Sequence, residues 1–170
     1  MRFRLLLACL LMAVCVSSRA EDSIPEKLME TAFRLMPDSV IPSLSQNNKL
    51  DMIDFVNSNM KAEVTNLFGG KSEMLSLTND SLCIRVSDGL TVRLLLLRPM
   101  EVTDDDEFVI CMAQTFGIDS LNLSTKIDFM TLDWQKLNYI PHFSEENEHR
   151  IQSLNVQTIL NWEGEILKKD

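Results

Sequence analysis

The side chains best suited to metal chemistry cluster in one polar segment near the C-terminus. His142 and His149 are the two histidines of the chain, and Glu145, Glu146 and Glu148 lie between them. Imidazole and carboxylate groups together can bind zinc, but this spacing matches no compact ligand motif. We expect residues 141–149 to form a solvated loop or a short helix, and we predict no metal site and no cofactor.

Cysteine chemistry is limited to Cys83 and Cys111, because the other two cysteines fall in an N-terminal apolar run. An exported protein could join them in a disulfide. However, their predicted strands flank the strand at residues 90–97, which separates the two backbones by about two strand spacings, ~9–10 Å. A disulfide needs Cα atoms within about 7 Å. We therefore predict two buried free thiols that pack as small apolar residues.

Gly69-Gly70-Lys71-Ser72 has the residue types that end a phosphate-binding loop. A Walker A loop also needs a glycine five residues before Gly70, where this chain has Thr65, and a helix after the loop. Residues 72–77 alternate as a strand does. The segment is therefore predicted to be a turn between strands.

Paired carboxylates could act as the acid and the base of a hydrolase. Glu26 with Glu30 and Asp51 with Asp54 are such pairs, but both fall on exposed faces of predicted helices. The acidic run at residues 104–107 lacks the ligand spacing of a calcium loop and is expected to be a hairpin tip. Neither Gly-x-Ser-x-Gly nor His-Glu-x-x-His occurs in the sequence.

The N-terminus has the three parts of an export signal. Arg2 and Arg4 form a basic start, residues 5–16 are apolar, and Ser18-Arg19-Ala20 offers small residues at both cleavage positions. The apolar run is too short to span a membrane. We predict that residues 1–20 are a signal peptide that is removed on export.

A lipoprotein signal is the competing interpretation of this leader. Cys9 is preceded by almost no apolar core, and Cys15 follows the bulky Val14 where a small residue is needed. Lipid anchoring is therefore not expected. Residues 21–170 are predicted to form a single domain, periplasmic or secreted, with no transmembrane segment.

The charge balance restricts the partners of this domain. The chain carries 16 basic and 25 acidic residues, and removal of the three leader arginines leaves 13 basic residues against the same 25 acidic ones. Such an acidic protein is repelled by nucleic acid and by anionic lipid. Nucleic-acid binding is excluded as a function class.

Two helices are predicted near the start of the domain. Ser23-Ile24-Pro25-Glu26 has the pattern of a capping box, and Pro37 ends the helix that follows. A second helix is expected to begin at a cap on Asn47 or Asn48. The apolar stripe of this second helix consists of Met52, Ile53, Val56 and Met60.

From Ala62 onward the apolar period is two, which indicates strands. Val64 lies in a short strand, and Leu75 and Leu77 alternate with polar partners in the next one. Further strands are predicted at residues 90–97, 107–116, 123–130 and 137–139, with a last hairpin at residues 156–167. Helices followed by hairpin-connected strands indicate an α+β fold, with two N-terminal helices packed on one face of a mainly antiparallel sheet.

One hairpin can be given a register. A two-residue Asp88-Gly89 loop would mix the two faces of the strands, whereas a three-residue loop keeps the apolar residues together. The three-residue loop ends in a glycine bulge at Gly89. It pairs Val86 with Leu90, Ile84 with Val92 and Leu82 with Leu94.

Several stretches of the chain are similar to one uncharacterised family. They are Met36-Pro37-Asp38-Ser39, residues 48–55, residues 60–66, Gly69-Gly70-Lys71-Ser72 and Asp133-Trp134. Between residues 36 and 139 the chain resembles exported proteins of Gram-negative gut anaerobes that are grouped as domain of unknown function 3256. The resemblance implies an exported protein of unassigned activity, and it supplies no catalytic residue.

The same resemblance gives a second meaning to three Asp-Ser-apolar triplets. Exported proteins of that bacterial group are often O-glycosylated at such triplets, whereas Asp-Ser is also ordinary turn chemistry. The candidate glycosylation sites are Ser39, Ser81 and Ser120.

Two surfaces are candidates for contact with a partner. The first candidate surface consists of Trp134, Tyr139 and Trp162. Trp134 and Trp162 lie next to predicted turns, where large aromatic side chains can anchor a partner or a glycan. Packing of these rings in the core is the alternative. The second candidate surface is the exposed edge of the junction between helix and sheet, with Lys61, Glu63 and Asn66.

Three hypotheses of function follow from these residues. The preferred one is a non-catalytic binding or interaction module of the cell envelope, whose partner is an envelope protein or a glycan. The first alternative is a binder of a small apolar ligand, held in a cup between the sheet and the helices. The second alternative is a carboxylate-dependent hydrolase.

Overall fold

The computed structural model describes residues 24–101, 107–118 and 122–155. The elements are α1 (Leu28–Leu35), α2 (Gln46–Asn57), β1 (Ala62–Thr65), β2 (Lys71–Leu77), β3 (Ser81–Ser87), β4 (Leu90–Leu97), β5 (Val109–Phe116), β6 (Ser124–Met130) and α3 (Glu145–Leu154). The six strands form one antiparallel sheet in the order β1-β2-β3-β4-β5-β6. The predicted α+β class with hairpin-connected strands is confirmed. Within the described ranges, no helix has the length and apolarity needed to cross a membrane.

The first helix begins later than the sequence predicts. Lys27 precedes α1 with a left-handed φ of 61° and no side-chain cap, and its N–H donates to the Asn79 side chain at 3.3 Å. The prediction that a capping box at residues 23–26 begins this helix is wrong, because α1 begins at Leu28; Ser23 lies outside the described residues. The C-terminus is confirmed: Met36 leaves the helical region directly before Pro37.

The cap of α2 is Ser45, not Asn47 or Asn48. The Ser45 hydroxyl accepts the Asn48 N–H at 3.2 Å, and the Asn48 side chain accepts the Ser45 N–H at 3.1 Å. This reciprocal pair is a capping box in which asparagine takes the place usually held by glutamate or glutamine. Met60 was predicted in the buried stripe, but it follows the helix and is 58% exposed.

A lysine belongs to the buried face of α2. Lys49 is fully buried, and its ammonium group donates to the Met36 carbonyl and to the Asp38 carboxylate, which lies 2.8 Å away. Both acceptors lie in the loop that follows α1. Lys49 therefore ties the two N-terminal helices together with its charge paired, as burial of an ammonium group requires.

The β3–β4 hairpin keeps two of the three predicted pairs. Ile84 pairs with Val92 and Leu82 with Leu94, but Ser87 rather than Val86 is opposite Leu90. The register shifts between Arg85 and Ser87, so the bulge lies before the turn. The predicted glycine bulge at Gly89 is wrong, because an extra residue in β3 keeps the apolar side chains on one face without a left-handed glycine.

Residues 69–72 form the predicted turn and lead into a strand. Gly69 has a φ of 81°, which glycine adopts without strain, and β2 begins at Lys71. Within β2 the prediction for Leu75 is wrong, since Met74 is buried and Leu75 is half exposed. The register shift after Met74 returns Leu77 to the buried side, where it packs against the core.

Each face of the sheet has its own apolar cluster. On the first face α1 and α2 pack against the sheet, as predicted; its central residues include Phe33, Met52, Ile84, Leu94 and Met112. The second face is partly covered by α3, a helix of 10 residues where the sequence predicts a loop or a short helix. Its cluster includes Leu95, Cys111, Phe129, Phe143 and Leu154.

After β6 the chain returns to the sheet only briefly. Met130 forms an isolated bridge with Lys136, and the Leu137 N–H donates to the Phe129 carbonyl at 2.8 Å. The strand predicted at residues 137–139 is therefore wrong, since the chain leaves the sheet after one ladder contact. The hairpin predicted at residues 156–167 lies outside the described residues.

Candidate functional site

Within the ranges that the structure describes, no strand lies beside the outer edge of β6. Since the Phe129 carbonyl accepts from Leu137, the backbone of Phe129 faces away from β5, and with a period of two so do Ile127 and Thr125. Among the described residues, no backbone hydrogen bond reaches Thr125 or Ile127 from outside the β5–β6 ladder. This edge can accept a further strand.

The opposite edge of the sheet is less available. Strand β1 has 4 residues, and the Asn48 side chain donates to the Thr65 carbonyl at 3.1 Å. A short edge that is partly covered is a common protection against pairing with another chain. Among the described residues the two edges therefore differ, and β6 has the edge with unpaired main-chain groups.

A cleft of about 600 Å³ lies beside the β6 edge. Its walls come from β6, from the segment after it and from α3; the apolar lining includes Ile127, Phe129, Leu137, Tyr139, Ile140 and Ile151. Tyr139 is 53% exposed and Ile140 is 76% exposed, so apolar surface is presented to solvent at the mouth. Apolar residues grouped in this way are typical of a binding surface.

The segment at residues 138–140 is fixed to the rest of the fold at both of its ends. The Phe143 ring packs on Phe129 with centroids 5.5 Å apart, and the His142 carbonyl accepts the Met100 N–H at 2.8 Å. With Leu137 attached to β6 at one end and Phe143 buried at the other, residues 138–140 must arch away from the sheet. Tyr139 and Ile140 are therefore exposed because of the path of the backbone.

The polar wall of the cleft contains an ionised carboxylate. The ammonium groups of Lys126 and Lys136 lie 2.8 and 2.6 Å from the Asp128 carboxylate. Burial is the largest influence and raises the pKa of Asp128, but the hydrogen bonds and charges of the two lysines outweigh it and lower the pKa overall. A general acid needs a raised pKa. Although Glu148 also lines the cleft, the hydrolase hypothesis gains no acid from Asp128.

The structure separates the three aromatic residues proposed for a surface. Tyr139 lies at the cleft mouth, and Trp162 lies outside the described residues. Trp134 is 7% exposed, and its indole N–H donates to the Ala32 carbonyl of α1 at 2.9 Å. Trp134 is therefore a core residue that joins α1 to the end of β6, and its place in the interaction surface is corrected.

The residues of the second proposed surface, Lys61, Glu63 and Asn66, differ in their exposure to solvent. Lys61 is exposed, and Glu63 accepts from Lys61 at 2.6 Å and from Lys71 at 2.5 Å. These contacts, with the Lys61 hydrogen bond as the largest cause, lower the pKa of Glu63 to about 2. The group is a surface ion-pair network on the outer face of β1 and β2.

Asn66 is a buried turn residue and not part of an exposed edge. Its side-chain oxygen accepts the N–H groups of Phe68 and Gly70 at 3.0 and 3.1 Å. Its amide group donates to the Ser72 hydroxyl at 3.0 Å and to the Val86 carbonyl at 3.4 Å. Asn66 is 8% exposed, so its prediction as a contact residue is wrong.

The remaining candidates for chemistry lie apart from one another. His142 and His149 are both exposed, and within the described ranges no three His, Cys, Asp or Glu residues are grouped to hold a metal ion. Asp51 and Asp54 are exposed as predicted, and Glu30 is paired with Arg34 at 3.1 Å. The acidic residues 104–106 lie outside the described residues.

The two cysteines occupy the predicted strands. Cys83 on β3 and Cys111 on β5 flank β4, and both are free thiols. Cys111 is buried, and this burial raises its pKa to about 12. The prediction of free thiols is confirmed for both cysteines, whereas the prediction of burial is confirmed for Cys111 alone, since Cys83 is half buried.

The candidate glycosylation sites have different environments. Ser39 is exposed in the turn after α1. Ser81 begins β3, and its hydroxyl lies 2.8 Å from the Thr78 hydroxyl. Ser120 lies outside the described residues.

Sequence reasoning identified Tyr139 but missed the cleft around it. The cleft depends on α3, where the sequence leaves a loop or a short helix open, and on the departure of the chain from the sheet after Leu137, where the sequence predicts a strand at residues 137–139. The available signal was Tyr139-Ile140-Pro141, where apolar residues stand before a proline inside a polar region. Such residues are held extended and cannot continue a central strand.

The architecture defines an α+β domain with an antiparallel meander, helices on both faces and an open edge cleft. The chain belongs to the family described as Protein of unknown function (DUF3256), whose model matches residues 22–161. A comparison with curated proteins finds no match.

The fold is similar to the solved structure of a domain of an uncharacterized protein from Porphyromonas gingivalis W83. The TM-score is 0.53 at 23% identity, over 65% of this chain and 54% of that one. The chain thus spans about half the length of that structure. At this identity the likeness concerns the fold alone.

Proposed function

We propose that this protein is a non-catalytic interaction module of the cell envelope that binds an extended, apolar segment of another envelope protein. The observation that carries the proposal is the exposure of Tyr139 and Ile140 over an apolar cleft beside an open strand edge. The partner segment lies along β6 and places alternate side chains in the cleft. Strand addition of this kind takes affinity from main-chain hydrogen bonds and specificity from the pockets.

A protein segment fits this site better than a glycan does. The backbone N–H and C=O groups of Thr125 and Ile127 point away from β5. An extended peptide presents N–H and C=O groups at the same two-residue spacing, so it can pair with them. Ile127 and Phe129 line the wall that alternate partner side chains would meet. The glycan alternative has support from the exposed Tyr139 ring only.

Export is part of the proposal. Its support is the leader sequence, with a basic start, an apolar run and small residues before the cleavage point. The mature protein would then be periplasmic or secreted, without a lipid anchor. O-glycosylation belongs to the same proposal, and the exposed turn position of Ser39 makes it the favoured described site.

A small apolar ligand is the second candidate occupant, at a different place from the one predicted. Met29, Phe33 and Met52 fill the space between the sheet and the N-terminal helices, where the cup was expected. The β6 cleft, at about 600 Å³, is within the usual size of a ligand pocket. Mass spectrometry of an organic extract of the purified protein distinguishes a small-ligand site from a peptide site. A lipid or other apolar compound would co-purify only if the cleft binds a small ligand.

The proposal is tested by affinity capture from the envelope of the native host. The bait proteins are the mature chain, a Tyr139→Ser/Ile140→Ser variant, and a Leu75→Ser control that alters a half-exposed apolar residue on β2. Since these are surface positions, we expect each single change to alter stability by only about 0.5 kcal/mol. We expect a specific partner to be depleted at least ~10-fold with the double variant and retained with the control. Equal recovery with all three baits would contradict the proposal.

A further inference from the structure

We infer that the end of the sheet with the β1–β2, β3–β4 and β5–β6 connections binds the surface of a lipid bilayer whose headgroups have no net charge. This turn end consists of the described residues 66–70, 87–90, 116–118 and 122–124. It does not include the β6 cleft, so the inference goes beyond the proposed function.

The topology of the sheet brings the three connections together. In an antiparallel meander the connections alternate between the two ends of the sheet, so the first, third and fifth lie at the same end. The Asn66 side chain donates to the Val86 carbonyl at 3.4 Å, and the Gly117 N–H donates to the Gly89 carbonyl at 3.1 Å. The centres of the first and last hairpins are four strand spacings apart, or ~19 Å. The turn end is therefore a row of turns joined by hydrogen bonds.

Large apolar side chains protrude from both sides of this row. Ile118 is 83% exposed and Phe68 is 78% exposed, which makes them the two most exposed large apolar side chains of the described residues. Leu67 and Phe116 are exposed as well. Exposed apolar side chains that are grouped at one end of a fold indicate a contact surface.

The exposure of Phe68 follows from the backbone of its turn. The Asn66 side chain accepts the Phe68 N–H at 3.0 Å, and the Asn66 carbonyl accepts the Gly69 N–H at 3.0 Å. These bonds place Phe68 at the tip of the turn, from which its ring cannot reach the core. The ring is thus held in solvent by a well-bonded turn.

The turn end carries little charge. Asp88 is the single charged residue among its described residues, in a chain with 16 basic and 25 acidic residues. Lys71, which follows the first turn, is paired with Glu63 at 2.5 Å. An anionic surface repels so acidic a protein. A bilayer with zwitterionic headgroups does not, and its surface matches the low charge of this end.

The shape of the turn end also favours a bilayer over a protein partner. Protein partners take most of their affinity from side chains in well-packed pockets, whereas these four side chains protrude from turns. The boundary between headgroups and acyl chains accepts protruding apolar side chains at separate points. Binding there increases with the apolar area that is buried.

Contact with lipid leaves the β6 cleft free. Strand β6 runs from Ser124 at the turn end to Met130, ~20 Å away at the usual rise of a strand. Leu137 is bonded to Phe129 near that distant end, and residues 139–140 follow it. The two surfaces can therefore be occupied at the same time.

Co-sedimentation of the mature chain with phosphatidylcholine vesicles tests the inference. We expect the unaltered chain to bind, and a Phe68→Ser/Ile118→Ser variant to have a partition coefficient at least ~10-fold lower, because two apolar side chains no longer enter the interface. The matched control is Tyr139→Ser/Ile140→Ser, which makes equivalent changes at the cleft. It should bind the vesicles as well as the unaltered chain does.

A Phe68→Trp variant provides a second measurement, which does not depend on a loss of binding. Its fluorescence should shift to shorter wavelength with the vesicles and be quenched by lipids that are brominated in the acyl chains. A Leu75→Trp variant, altered on β2, should show neither effect. Trp134 and Trp162 are present in both variants, so the difference between them reports the new indole ring.

Several results would overturn the inference. They are failure of the unaltered chain to bind phosphatidylcholine vesicles, equal binding by the two serine variants, and equal spectral changes in the two tryptophan variants. A shift that appears without vesicles as the protein concentration rises would show contact with a second copy and would overturn it too. So would binding that requires anionic lipid and is lost in about 0.5 M NaCl.

The two serine variants also separate this inference from the proposed function. If both hold, Phe68→Ser/Ile118→Ser still captures the protein partner, and Tyr139→Ser/Ile140→Ser still binds vesicles. If vesicles bind as expected but no variant differs in partner capture, the lipid surface is assigned and the proposed function fails.

Discussion

At the scale of single residues, charged side chains on the outer face of β1 and β2 have structural partners. Glu63 is directly opposite Glu73 across the two strands, a placement that is repulsive by itself. Lys61 and Lys71 pair with Glu63, and Arg85 pairs with Glu73. The like charges are thereby neutralised.

A Glu63→Gln variant should reveal this network through the pH dependence of stability. The folded-state pKa of Glu63 is about 2, lowered from 4.5, so its contribution is complete above about pH 4.5 and is lost as the pH falls towards 2. We expect the unaltered protein to have the higher Tm at pH 6 and the difference to vanish near pH 2. The measurement is thermal unfolding followed by circular dichroism.

The exposed Asp54 supplies the matched control. An Asp54→Asn variant removes a carboxylate from the exposed side of α2 and should not reproduce the pH-dependent difference. A Glu63→Gln difference in Tm that is the same at pH 6 and pH 2 would contradict the assignment of the ion pairs.

At the scale of elements, the Asn66 side chain adds four hydrogen bonds to the backbone bonds of the turn between β1 and β2. Asn66 bonds to both Phe68 and Gly70 within the turn and reaches Ser72 and Val86 in neighbouring strands. The turn is thus tied to β3 as well as to its own hairpin. The glycines of the turn can adopt its backbone conformation without strain, and the hydrogen bonds of Asn66 stabilise that conformation over others.

An Asn66→Ala variant should therefore be destabilised by about 1–3 kcal/mol, because buried donors and acceptors lose their partners. Urea unfolding measures the difference. Asn47→Ala, at an exposed position of α2, is the control and should change stability by less than about 0.5 kcal/mol. Equal effects of the two substitutions would show that the bonds of Asn66 do not hold the turn.

Elements with a strong local pattern could be predicted, and those set by distant contacts could not. The apolar runs of β4 and β5, the end of α1 before Pro37 and the pairing of Ile84 with Val92 follow from local sequence. The start of α1 depends on Asn79, which is remote in sequence. A bulge in β3 and a bulge at Gly89 would both keep the apolar side chains on one face of the hairpin. The packing of the neighbouring strands determines which of the two forms.

The candidate site also depends on contacts between residues that are distant in sequence. The polar composition of residues 141–149 predicted a loop or a short helix, yet α3 gains its stability from burying Leu154 and part of Ile151 against the sheet. Trp134 was placed next to a turn correctly, but its bond to Ala32 across 102 positions has no local signal. Tyr139 could be proposed because it is an aromatic residue outside a regular apolar pattern.

At the scale of the whole molecule, the helices in the described ranges close the first face of the sheet and cover the second face only in part. α1 and α2 seal one side, whereas α3 covers only part of the other and leaves the cleft beside β6. Specific binding at an edge requires both open main-chain groups and a side-chain pocket. In the described part of the chain, both occur together at β6.

Site-specific photo-cross-linking tests this central claim most directly. A photoreactive phenylalanine analogue replaces Ile140 at the cleft mouth or, as the control, Leu75 on β2, and each protein is irradiated in cells of the native host. We predict a discrete cross-linked partner from position 140 and none from position 75. Cross-linking to the same proteins from both positions, or from position 75 alone, would contradict the assignment of the β6 cleft as the binding site.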